Sequence, residues 1–102
     1  MTARRRLPDR RASMTFDVEA LNLKFTVTAS RFPDGQLGEI FIVNHKAGSM
    51  AGIMASDAAV VTSIALQHGV PLEVIRRALM RDALGRASGP LGAALDEIAG
   101  ST

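Results

Sequence analysis

The chain has 102 residues, of which 47% are apolar and 22% charged, with no cysteine and a formal net charge of +2. This length allows one domain of ordinary size without a second core. The lack of cysteine excludes disulfides, thiolate nucleophiles and cysteine–zinc sites.

The positive charge is concentrated at the start of the chain. Residues 1–11 contain five arginines and one aspartate, a local charge of +4, whereas the remaining residues carry seven basic and nine acidic groups and sum to −2. We interpret 1–12 as a basic N-terminal arm. No apolar run follows it, so no secretory signal is expected. The stretch 49–68 is interpreted as too polar for a membrane span, and a cytoplasmic location is predicted.

Alternating apolar and polar residues predict strands in the first half of the chain. Leu21-Asn22 indicates a tight turn, and Pro33-Asp34-Gly35 a second turn in which proline presets φ and glycine supplies positive φ. We predict three antiparallel strands, at about residues 14–20, 23–30 and 37–44.

Helices are predicted in the second half. Ser49 is a natural N-cap, Gly69 fits the end of the first helix, and Pro71 fits the start of the second. The predicted helices cover about residues 49–68, 71–82 and 91–99. In the first helix, an apolar stripe at three- and four-residue spacings is formed by Met50, Ile53, Met54, Val61, Ile64 and Ala65. Small residues at 51, 52, 55, 56, 58 and 59 would let this helix lie close to the sheet or to a partner helix. The residues of the second helix that we expect to face the core are Leu72, Ile75 and Leu79.

These elements predict one α+β domain over residues 13–99, followed by a tail at 100–102. Its three-stranded antiparallel sheet would be covered on one face by the two main helices, with the third helix short. Aromatic residues are 4% of the chain, so the core is predicted to be aliphatic. A domain of this size buries a modest share of its surface, and a homodimer would add to that burial.

The loop before the first helix is a candidate anion site. Backbone amides at the helix N-terminus, together with Lys46, could hold a phosphate or a carboxylate. The alternative is a polar loop with an ordinary N-cap. The segment lacks the Gly-Lys-Ser/Thr ending of a P-loop.

Arginines make nucleic acid an alternative partner. Ala65, Gly69 and Ile75 have the spacing of a helix-turn-helix, although any tight corner between helices needs the same residue types. The stretch RRRLPDRR can neutralise several phosphates but offers no aromatic ring for base stacking, and a solvated arm is the alternative. The candidate nucleic-acid-binding residues are Arg4, Arg5, Arg6, Arg10, Arg11, Arg76, Arg77 and Arg81.

No catalytic residue, metal or cofactor is predicted. The two histidines, His45 and His68, lie at opposite ends of the first helix, roughly 30 Å apart if that helix is straight. No element brings a serine beside either histidine with a supporting acid. Catalysis is therefore not expected from the residues alone.

Four stretches, taken together, resemble one family. They are RRRLPDRR, FTVTASRFPDGQLGEIFIVNHKAGS, MAGIMASDAAVVTSIALQHGVPLEVI and GRASGPLG, in this order over about residues 4–92. They resemble the C-terminal TSCPD-type domain of adenosylcobalamin-dependent ribonucleotide reductases. The resemblance implies a domain that follows the catalytic barrel and does not perform the radical chemistry. This chain departs from the family in lacking its cysteines, which argues against the metal site suspected for them.

The resemblance also singles out two residues of a binding patch. Glu39 and Lys46 match the family pattern but have no compulsory folding role, unlike the matching glycines. The candidate ligand-binding residues are Glu39, His45, Lys46, Gly48 and Ser49. The leading functional prediction is a non-catalytic binding or assembly module that acts through protein contacts, as a homodimer or with a ribonucleotide reductase catalytic chain. Nucleic-acid binding and phosphate or nucleotide binding at the strand–helix loop are the alternatives.

Overall fold

A computed structural model describes residues 3–46 and 48–100. Its elements are, in chain order, β1 (Ser13–Ala20), β2 (Leu23–Arg31), β3 (Leu37–Asn44), α1 (Met50–Gln67), α2 (Leu72–Ala78) and α3 (Pro90–Gly100). The strands form one antiparallel sheet in the order β1-β2-β3, so the predicted α+β fold is confirmed. The predicted tail begins inside α3, and its last two residues lie outside the described part of the chain, as do residues 1, 2 and 47.

The hairpin between β1 and β2 sets which side chains face the core. Leu21 and Asn22 have φ values of 57° and 59°, the positive φ at both central positions that a type I′ turn requires. This turn places Phe16 opposite Val27. Because successive residues of a strand point to opposite faces, one face of the sheet is consistently apolar. Its fully buried residues on β2 and β3 include Phe25, Val27, Ile40 and Ile42.

Helix α1 turns its small residues to the core, and its stripe of large apolar residues is not the buried side. Among the described residues of this helix, the buried set has Leu66 as its only large apolar member and otherwise consists of Ala55, Ala59, Thr62, Ser63 and Gln67. The small residues at 55 and 59 thus allow close packing, as predicted. Most side chains of the apolar stripe are exposed to solvent, namely Met50, Ile53, Met54, Val61 and Ile64.

The free edge of β3 explains this orientation. An edge strand presents backbone groups that no neighbouring strand pairs. The Ser63 Oγ accepts a hydrogen bond from the Ile40 N–H at 2.9 Å and has the Ile40 carbonyl as an acceptor at 3.0 Å. The Gln67 side-chain amide donates to the Gly38 carbonyl at 2.9 Å. The buried side of α1 thus pairs edge groups of Ile40 and Gly38, and large side chains there would hold the helix away from the strand.

Ser63→Ala is expected to lower the free energy of unfolding by about 1–3 kcal/mol, because it leaves the buried Ile40 N–H without its partner. Urea unfolding followed by circular dichroism measures this change. Ser56→Ala, on the same helix, is the matched control and should change the free energy of unfolding by less than about 0.5 kcal/mol. Equal losses in the two variants would contradict the role of Ser63 at the strand edge.

Helix α3 contributes more to the core than the short third helix predicted. Ala94, Leu95 and Ile98 are each 0% exposed, and the helix packs against β1. Helix α2, which is described in full, has no fully buried residue and packs on α3. Its Leu72, Ile75 and Leu79 are half-buried against the core, as predicted.

Helix α2 ends at Ala78, before the predicted end at residue 82. The next residue, Leu79, is extended, with ψ of 154°. The Asp82 Oδ1 then accepts hydrogen bonds from the backbone N–H groups of Leu84 and Arg86, each at 2.9 Å. An aspartate that bonds nearby backbone amides offers the chain an alternative to the helix. The result is a turn in place of a last helical turn.

Candidate functional site

The exposed side of α1 carries large apolar residues from its first turn to its last, interrupted only by Asp57. We call it the outer apolar face and define it by Met50, Ile53, Met54, Val60, Val61 and Ile64. These residues are 39% to 77% exposed. Asp57 is the one ionisable residue of α1 and lies on the same side of the helix, between Ile53 and Ile64 at helical spacing. A contiguous apolar surface of this kind is typical of a contact site for another molecule.

Two residues of β3 extend this surface onto the sheet. Phe41 and Val43 are 49% and 56% exposed and lie on the side of the strand that faces away from the core. An open groove of about 350 Å³ between β3 and α1 is lined by Val43, Ile53 and Asp57, among others. The strand and the helix therefore share one surface.

The length and composition of α1 also satisfy the requirements for crossing a membrane, which the sequence analysis did not expect. However, one side of this helix packs against β3 and makes the buried hydrogen bonds of Ser63 and Gln67. That side is part of the core of the domain. The unusual feature of α1 is that its other side is apolar as well.

The predicted ligand-binding residues lie at the two ends of β3. Glu39 and His45 are six positions apart along an extended segment, roughly 20 Å at the rise of a strand. Glu39 forms an ion pair with Arg11 at 3.0 Å, and the His45 Nε2 lies 3.0 Å from the Thr26 hydroxyl. Within residues 3–46 and 48–100, no three His, Asp or Glu side chains are grouped as metal ligands. The structure thus separates Glu39 from the other candidates.

The remaining candidates shape the start of α1. Ser49 is the N-cap, and its Oγ accepts from the Gly52 N–H at 3.0 Å. Gly48 has a φ of 74°, a conformation that favours glycine. The sequence analysis missed Asn44, whose Oδ1 accepts from the Lys46 N–H at 2.9 Å. An asparagine at the end of a strand is a usual signal for such a loop.

The arginine arm packs against the domain. The Arg5 guanidinium lies 3.8 Å from the centroid of the Phe32 ring and forms an ion pair with Asp34 at 2.9 Å. Arg11 forms an ion pair with Glu39 at 3.0 Å. These contacts were not predicted, because the sequence shows the charges of the arm but not the carboxylates that face it.

The arginines of the second predicted helix are engaged within the domain. Arg81 forms a bidentate pair with Asp96, with both distances 2.8 Å. Arg76 donates to the same carboxylate at 3.0 Å and to Glu73 at 2.6 Å. The Arg77 Nε lies 3.3 Å from the Glu73 carbonyl. Three of the candidate nucleic-acid-binding residues therefore hold α2 together and bind it to α3.

This cluster predicts a pH dependence of stability. Hydrogen bonds from Arg81, opposed by burial and supplemented by Arg76, lower the pKa of Asp96 from its ordinary value. A lowered pKa contributes stability that is present above the unfolded pKa of about 3.9 and is lost as the pH falls through the folded value. In Asp96→Asn, denaturant unfolding should therefore show a smaller loss of stability than in wild type between neutral pH and about pH 3. Identical pH profiles would contradict this assignment.

Comparison with known proteins gives a consistent result. The model of the TSCPD domain family matches residues 2–99. A vitamin B12-dependent ribonucleotide reductase of Rhodopirellula baltica is 42% identical over 72 residues, which are 71% of this chain and 7% of that protein. The corresponding reductase of Agrobacterium fabrum is 40% identical over 70 residues, 69% of this chain and 6% of that protein. No solved structure matches the chain.

Another reductase of the same name, from Streptantibioticus cattleyicolor, is 37% identical over 70 residues, which are 69% of this chain and 12% of that protein. The matched segment is thus a small part of each of these relatives. The family resemblance predicted from the sequence is confirmed.

Proposed function

We propose that this chain, which belongs to the TSCPD domain family, is a non-catalytic protein-binding module that acts through the outer apolar face of α1. The matching segment is 6% to 12% of the length of the reductase relatives described above. That small share supports a role in contact or assembly, with the chemistry elsewhere. We propose a cytoplasmic location for this activity.

The observation that carries the proposal is the reversed amphipathicity of α1. The helix turns its small and polar residues to β3 and its large apolar residues to solvent. Burying one exposed Val, Ile or Met side chain stabilises a contact by about 1.5–3 kcal/mol, and the outer apolar face has six of them, each partly exposed. A partner that covers this face would gain enough to offset the cost of association.

The occupant that we propose is a second copy of this chain. A single helix that is apolar along 18 residues can pack against its own copy in an antiparallel, two-fold arrangement. If the axis passes near Val61, the two copies of Asp57 lie roughly 12 Å apart along the helices, given a rise of 1.5 Å per residue. Charges in water that are farther apart than the Debye length, about 8 Å at physiological salt, are largely screened. The proposed contact therefore requires that both Asp57 carboxylates stay hydrated at its margin, because an unpaired buried carboxylate would oppose pairing.

Light scattering over a concentration series tests this proposal. The expected result is a mass that rises to twice that of the monomer and does not fall at high salt, because the contact is apolar. If the chain stays monomeric, it should be mixed with a vitamin B12-dependent ribonucleotide reductase that lacks its own matching segment. Binding to that reductase would identify a reductase chain, and not a second copy of this chain, as the partner. A chain that stays monomeric and does not bind the reductase would overturn the proposal.

A further inference from the structure

The arm and the domain together line a groove that is rich in arginine. The groove has a volume of about 450 Å³, and its charged and polar lining comprises arginines 4, 5, 6 and 11 with Glu39 and Gln67. We call it the arm groove. Four guanidinium groups and the Glu39 carboxylate line it, and Asp34, just outside, pairs with Arg5, so the local net charge is +2. The whole chain has a formal net charge of only +2, so the charge is focused here.

The arm groove is built on a buried side chain. Gln67 is 6% exposed, and its Oε1 accepts a hydrogen bond from the Arg4 Nε at 2.5 Å. The Gln67 amide also donates to the Gly38 carbonyl, which fixes its orientation. Arg11 is fixed in turn, since its two terminal nitrogens donate to the Pro8 carbonyl and to Glu39. The guanidinium groups of Arg4 and Arg11 are therefore held in place before any ligand arrives.

Two arginines keep hydrogen-bond donors for a ligand. Only the Nε of Arg4 is engaged within the described residues, which leaves both of its terminal NH₂ groups. Arg6 lines the groove and makes no hydrogen bond or ion pair within residues 3–46 and 48–100. The planar fork of a guanidinium matches two phosphate oxygens at once.

We propose that the arm groove binds anions that carry two or more linked phosphates, through Arg4, Arg6 and Arg11. Linked phosphates supply several negative charges, which suit the guanidinium groups of Arg4 and Arg6 that pair with no carboxylate among the described residues. The nearby aromatic ring, that of Phe32, is 3% exposed and is covered by Arg5. It offers no open face for a base to stack on, so recognition is independent of the base. This site is independent of the proposed function, because its Gln67 lies on the buried side of α1 and not on the outer apolar face.

Isothermal titration calorimetry tests the proposal with tripolyphosphate, ATP, GTP, orthophosphate and AMP as probes. Tripolyphosphate, ATP and GTP should bind with dissociation constants within about threefold of one another, and at least about tenfold more tightly than orthophosphate or AMP. Binding should weaken as salt is raised. Failure of the three polyphosphates to bind, or a strong preference between ATP and GTP, would overturn the proposal.

Variants then locate the site. Arg6→Ala removes a side chain without internal partners and should weaken tripolyphosphate binding by about fivefold to tenfold. Arg4→Lys keeps the charge but loses the fork, and should weaken binding to a similar degree. The matched control is Arg86→Ala, an exposed arginine whose carboxylate partner, Asp82, lies outside the groove. Equal weakening in the control, or tight binding of a mixed-sequence DNA without any binding of tripolyphosphate, would refute the site.

Discussion

Val61→Glu is expected to abolish self-association of the chain while leaving the fold intact. Val61 is 67% exposed and lies near the middle of the outer apolar face. With the two-fold axis near Val61, each copy would add a carboxylate at the centre of the contact, directly beside that of its partner, where like charges repel and an unpaired buried charge is costly. A penalty of about 3 kcal/mol or more corresponds to at least a hundredfold weaker dimer. Light scattering over the same concentration series as for the wild type measures this loss.

The control for this variant is Leu84→Glu. Leu84 is 76% exposed and lies between α2 and α3, outside the outer apolar face. Glutamate is at least as good a helix former as valine, so circular dichroism of Val61→Glu should match wild type. Wild-type association in Val61→Glu, or equal dissociation of both variants, would show that this face is not the contact.

The strands could be predicted because their pattern of apolar and polar residues fits only one orientation of each strand. Residues of β1 alternate strictly between half-buried and exposed, and the turn Leu21-Asn22 adopts the positive φ values that fix the hairpin. The pattern of α1 fits two orientations of the helix against the sheet, because both of its sides are apolar. Spacing alone favours the side with the larger residues. The choice was decided by Ser63 and Gln67, whose partners lie on β3, more than twenty residues earlier in the chain.

The contacts of the arginines could not be predicted for a related reason. The five arginines in residues 4–11 show that this segment is positively charged, but the sequence does not show which carboxylates lie opposite them. Arg5 meets Asp34 and Arg11 meets Glu39, in both cases across nearly thirty residues of sequence. Glu39 was singled out as a residue without a compulsory folding role, and its place in a binding patch stays a prediction. Its partner was found in the arm and not in the loop with Lys46.

Ile98→Ala is expected to lower the free energy of unfolding by about 2–5 kcal/mol, the usual cost of removing a large aliphatic side chain from a packed core. Ile98 is 0% exposed on α3, among Ala94 and Leu95. A small domain has a total stability of about 5–15 kcal/mol, so this loss could unfold a substantial part of the sample at 37 °C. Urea unfolding at a lower temperature, followed by circular dichroism, measures it.

Ile75→Ala makes the same chemical change on α2 and separates the roles of the two helices. Ile75 is half-buried at the margin of the core, and α2 has no fully buried residue along its described length. Its loss should therefore cost less than half as much as that of Ile98. If the two variants were equally destabilised, α2 would carry as much of the core as α3. The sheet would then be covered mainly by α1 and α2, with α3 secondary, as the sequence pattern predicts.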